Sequence, residues 1–162
     1  MKGQALLISY TLTVLLSVIF ILFSSLIFSS FYSNFLKNQV KNDLESVSLK
    51  LYSLIITAYE FANNSKFIPK NNSCIILEEI ELYLPSKISS KTYEILVQNS
   101  EENLKIEARA EDSESFKVEL PKVYVNFQGK IKSERKTRMY YYRCNLDNEV
   151  SDKIVFQEIE GF

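Results

Sequence analysis

Apolar residues change their spacing twice along this chain, and each change predicts a different kind of element. From Gly3 to Leu36 no residue is charged, and nearly every position is apolar, serine or threonine. Lys2 stands just before this run and Lys37 just after it. A membrane-spanning helix needs roughly 20 apolar residues to cross about 30 Å of hydrocarbon. The 34 uncharged residues here therefore exceed a single crossing. At about 1.5 Å per residue they would reach roughly 50 Å, and apolar surface beyond the lipid must be buried against something else.

After Lys37 the apolar positions thin to Val40, Leu44, Val47, Leu51, Leu54, Ile55, Ala58, Tyr59 and Ala62. That is helical spacing of three and four. Lys41, Asn42, Asp43, Glu45, Ser46 and Lys50 fall between them as the solvent-facing complement of an amphipathic helix. No proline or glycine interrupts the chain from Gln4 to Lys66, so the spacing predicts one continuous helix over residues 4–62. Asn63-Asn64-Ser65 ends the pattern, and Pro69 follows shortly after.

From Ser73 on, the period becomes two. Ile80, Leu82 and Leu84 alternate with Glu79, Glu81 and Tyr83, and Leu104, Ile106, Ala108 and Ala110 alternate with Lys105, Glu107, Arg109 and Glu111. Phe116, Val118 and Leu120 alternate with Lys117 and Glu119, and Val123, Val125 and Phe127 continue past Pro121. Further strands are predicted for residues 93–97, 137–144 and 153–159. Polar breaks at Pro85-Ser86, Asn99-Ser100 and Asp112-Ser113 separate them at hairpin-like intervals. The fold class is α+β: a long N-terminal transmembrane and amphipathic helix, then a small antiparallel β-sheet or β-sandwich of five to seven strands. The segments are 1–3, 4–36, 37–62, a polar loop at 63–72, and a β domain at 73–162.

Composition narrows the chemistry. Nineteen basic against twenty acidic residues argue against a dedicated nucleic-acid binder, which would be strongly basic. There is no histidine, the commonest general base and metal ligand near neutral pH. With three glycines in all, no glycine-rich phosphate cradle can be written. No catalytic, cofactor-binding or metal-binding residue is nominated, and an enzyme is not expected.

Cys74 and Cys144 are either a bridge closing a long loop or two buried thiols; an even count in an exported domain favours the bridge. Asn63-Asn64-Ser65 and Asn71-Asn72-Ser73 fit the N-glycosylation pattern, making Asn63 and Asn71 candidate acceptors. Lys2 on one side and Lys37 and Lys41 on the other nearly balance the positive-inside count. The cysteines and sequons, rather than the charge rule, place the C-terminal part outside the cell.

The start Met1-Lys2-Gly3-Gln4, abutting the apolar helix, resembles the class III signal of archaeal type IV pilins. The resemblance implies cleavage after Gly3 by a prepilin peptidase, with Gln4 as the new amino terminus and the helix left attached. It also implies self-assembly with identical or related subunits into a surface filament or pseudopilus, which would bury the surplus apolar helix. It covers the first 35 or so residues closely and the rest in architecture. The other reading of the same residues is a signal-anchor that stays uncut.

Three patterns keep two readings each. Ser9, Thr13, Ser17 and Ser24 lie within about 80° on a helical wheel. They form a small-residue contact stripe, or hydroxyls bonded back to their own helix. Acidic residues dominate from Glu78 to Glu114 and basic ones from Lys117 to Arg143. Neighbouring strands neutralise one another there, or complementary patches join subunits. Tyr140-Tyr141-Tyr142 between Arg138 and Arg143 reads as core and surface alternating, or as an aromatic platform. The function expected is a membrane-anchored, pilin-like structural subunit without a nucleic-acid partner. The alternative is an anchored extracellular binding or stator domain that does not polymerise.

Overall fold

A computed structural model describes residues 2–100, 103–111 and 115–159, with side chains from Ser9 onward in the first helix. The chain divides into two compact units at Asn38/Gln39. A single helix, α1 (Lys2–Asn64), runs through the division. Eight strands follow: β1 (Ser73–Leu82), β2 (Tyr93–Asn99), β3 (Asn103–Ala110), β4 (Ser115–Pro121), β5 (Asn126–Gln128), β6 (Lys130–Lys132), β7 (Thr137–Leu146) and β8 (Glu149–Glu158).

The strands form two four-stranded sheets, ordered β1-β7-β8-β5 and β4-β3-β2-β6. This is the α+β architecture expected, a helix followed by two small sheets, with eight strands instead of five to seven because β5 and β6, three residues each, are too short for a periodic signal. All pairings are antiparallel except β5 with β8, which is parallel. The β7–β8 hairpin turns at Asp147 and Asn148, both at positive φ (50° and 65°). Asp and Asn tolerate the left-handed region that a tight turn needs.

Period two buries one side of each strand. Tyr93, Ile95 and Val97 of β2, and Leu104, Ile106, Ala108 and Ala110 of β3, are buried. So are Thr137, Met139, Tyr141 and Arg143 of β7. Period 3.6 does the same for the later part of α1, where Val40, Leu44, Val47, Leu51, Ile55, Ala58 and Ala62 are buried. The helix stripe and the inner strand positions belong to one hydrophobic core. Polar ties fix the helix further: Lys50 Nζ donates to the Tyr83 carbonyl (3.0 Å).

The helix ends two residues later than its sequence pattern predicts. The Ser65 amide donates to the carbonyls of Phe61 and Ala62 (both 3.1 Å), closing a last turn that includes Asn63 and Asn64. Val123 and Val125, expected in a strand, are buried outside any strand. Their carbonyls are satisfied instead by the Asn99 side-chain amide at 2.9 and 2.6 Å.

Gly129 carries the chain from β5 in one sheet to β6 in the other, at φ +95°. A Cβ there would collide with the Phe156 carbonyl oxygen. Both the φ and the close approach demand glycine. Gly129→Ala is expected to lower stability by on the order of 2 kcal/mol, read as a fall in the denaturation midpoint. An unchanged midpoint would contradict this reading.

A register shift in β1 between Ile76 and Glu78 changes which face the strand presents. Leu77 is the extra residue of a bulge, so Ile76 pairs with outward Tyr142 and is exposed, while Glu78, in phase with Ile80 and Leu82, pairs with buried Tyr141. The alternation that sets Ile80 and Leu82 inward sets Glu78 inward with them and Glu79 outward. Glu78 Oε2 is buried without a hydrogen-bond partner, and desolvation raises its pKa. A raised carboxyl binds its proton more tightly in the folded chain. Its stabilising contribution is therefore present in acid and lost as pH rises through the folded pKa. Glu78→Gln is expected to melt higher than the parent near neutrality, by about 1 kcal/mol, with the gain vanishing in mild acid. A gain independent of pH would rule out this cause.

Candidate assembly surface

The two halves of α1 meet very different surroundings. From Ser9 to Gln39 every side chain is exposed except Ser24, which is half-buried; burial begins at Val40. Phe20 and Phe28 expose 73% and 76% of their surface. Large apolar groups at that exposure in water are strongly disfavoured, at about 25 cal/mol per Å². This half of the helix is long and apolar enough to cross a membrane.

Of the predicted stripe, Thr13 Oγ1 donates to the Ser9 carbonyl and Ser17 Oγ to the Thr13 carbonyl, both at 2.9 Å. These two hydroxyls are thus satisfied within the helix. The backbone at Gly3 and Gln4 is helical; the Gln4 side chain lies outside the described residues, as does Met1.

At the other end of α1 the chain has no basic residue in its last turn to meet the negative end of the helix dipole. β7 supplies one from the sheet. Arg143, buried in an inward position, donates from Nη2 to the Ala62 carbonyl (2.9 Å) and from Nη1 to the Ser65 carbonyl (2.8 Å). The same guanidinium grips Asp152 of β8 with Nε and Nη2, both bonds 2.9 Å. Tyr141 donates its hydroxyl to Asp152 Oδ2 at 2.8 Å. The hydrogen bond to Asp152 raises the Arg143 pKa further. Burial first, then the bond to Asp152, pushes the Tyr141 hydroxyl well above its ordinary range. The cluster is a cap that joins the helix end to two strands. The sequence reading missed it, although the alternation Thr137, Met139, Tyr141 already puts Arg143 on the inner face.

One strand position further along β7, Cys144 is bonded to Cys74, its direct cross-strand partner in β1, with Cα atoms 4.0 Å apart. Asn63 and Asn71 are both exposed. Asn71 Oδ1 accepts from the amides of Asn72 (3.0 Å) and Asn148 (3.2 Å), so this sequon lies against the β7–β8 turn.

The charge runs resolve into cross-strand pairs. Lys105 meets Glu119 at 3.3 Å, Lys117 meets Glu107 at 3.5 Å, and Arg138 meets Glu79 at 2.8 Å. Exposed pairs of this kind are worth little individually, but they cancel charge across each sheet. Tyr140 and Tyr142 share the outer face of β7 with ring centroids 6.1 Å apart, while Tyr141 points inward. Comparison with protein-family models, with curated proteins and with solved structures found no match.

Proposed function

We propose that this chain is a pilin-like structural subunit, held in a membrane by the first half of α1. A prepilin peptidase trims it after Gly3. It then assembles through that helix with copies or relatives of itself into a surface filament or pseudopilus, its β domain outside the cell. The observation that carries the reading is the contrast at Gln39/Val40: an exposed apolar stretch, longer than one bilayer crossing requires, gives way to a stripe buried by the chain's own sheets. In this reading neighbouring helices cover what the lipid does not. The exposure of Asn63 and Asn71 is compatible with glycosylation there, which a mass shift on glycosidase treatment would reveal.

Amino-terminal mass spectrometry of the native membrane protein tests the processing step. A terminus at Gln4 is expected, and an intact Met1 would overturn it. Electron microscopy of sheared surface material then tests assembly. A second reading, an anchored extracellular binding domain that stays unpolymerised, draws support from the Thr13 and Ser17 hydroxyls, which are bonded within their own helix instead of offered to a neighbour. A processed chain absent from every sheared filament would favour it.

A further inference from the structure

Sheet edges invite pairing with other chains, and proteins blunt them by keeping them short or bulged. Three of the four edges here are treated so: β5 and β6 are three residues long, and β1 carries the bulge at Leu77. The fourth, β4, is seven residues long and pairs with β3 in unbroken register. Among the described residues no strand covers its far side.

The sequence of β4 is complementary to itself. About a two-fold axis at Val118, antiparallel pairing with a second β4 sets Phe116 opposite Leu120 and Lys117 opposite Glu119, each twice, and Val118 opposite its own copy. Within one chain, Lys117 and Glu119 already sit beside Glu107 and Lys105 at 3.5 and 3.3 Å. The paired edges would therefore extend two rows of alternating charge across both molecules. Phe116, Val118 and Leu120 are only partly buried at the rim of the core, and the same pairing would cover them.

We infer that β4 is a homophilic edge: two copies of this chain join their β4 strands antiparallel about Val118 into one continuous eight-stranded sheet. The contact is isologous, with each residue meeting its partner twice. One short ladder gives weak association, so it is sought at high protein concentration. It does not involve α1, so it stands or falls separately from the pilin-like reading.

Full-length chains carrying donor and acceptor fluorophores, held at high concentration in detergent micelles that carry one chain each, test it by energy transfer. Transfer between wild-type copies is expected. Lys117→Glu paired with itself sets Glu against Glu, and Glu119→Lys paired with itself sets Lys against Lys. Each should weaken association about tenfold, because like charges directly opposite repel. Lys117→Glu donors mixed with Glu119→Lys acceptors regain both complementary pairs and should restore transfer. That restoration separates pairing from any general damage to the fold. Absence of transfer in the wild type, equal transfer in all combinations, or a mixture no better than the single variants would each overturn the proposal.

Discussion

Asp152→Ala is expected to cost about 3–5 kcal/mol of folding stability, the usual cost of stranding one member of a buried ion pair. Asp152 takes two bonds from Arg143 and one from Tyr141. Without it the guanidinium keeps its charge in a site where its side chain is 10% exposed, and the Tyr141 hydroxyl loses its acceptor. The carbonyls of Ala62 and Ser65 would still bond Arg143, but they bring no full negative charge. Denaturant titration followed by sheet circular dichroism would read the loss as a lower midpoint. Arg143→Met combined with Asp152→Leu should recover much of it, because replacing both partners removes the uncompensated charge. A double variant no better than Asp152→Ala would show that the helix-capping bonds of Arg143, and not the ion pair, dominate.

Removing the Cys74–Cys144 bridge by paired serine substitution is expected to cost about 4 kcal/mol in the chain-entropy model, given the sequence separation of 70. The bridge shortens the unfolded chain's excursions more than it adds contacts to the folded one. The loss should therefore appear under denaturing titration while the spectrum of the folded state stays unchanged. A reducing agent applied to the parent should reproduce the effect. Because Cys144 follows Arg143 in β7, the bridge and the Asp152 cluster are near neighbours, and their costs should not add. Additive losses would mean that β1 and the helix cap report on separate parts of the fold.

Much of the architecture was legible because it rests on periodicity. The nine apolar positions predicted from Val40 to Ala62 are buried or half-buried in the structure, and alternation located the longer strands. What was illegible depends on single residues or on distant partners. The bulge at Leu77 is one residue out of step and leaves no compositional mark, yet it turns Ile76 outward, opposite Tyr142. The parallel β5–β8 pair joins strands too short for a periodic signal. The helix end was misplaced because the carbonyls of Ala62 and Ser65 are satisfied by Arg143, 81 and 78 positions away, and local sequence does not disclose so remote a partner. Of the candidate surface, the apolar stretch could be read directly; the edge position of β4 could not, since nothing in the strand's sequence says which strands flank it.

The inward-turned hydroxyls of Thr13 and Ser17 carry a thermodynamic implication for the stem. A side chain whose polar demand is met by its own backbone forfeits no bond when acyl chains around it are exchanged for protein, or protein for acyl chains. At Thr13 and Ser17 the difference in free energy between lipid and protein surroundings is then set by dispersion and packing. At these two positions, at least, reversibility between lipid and protein surroundings is written into the covalent chain.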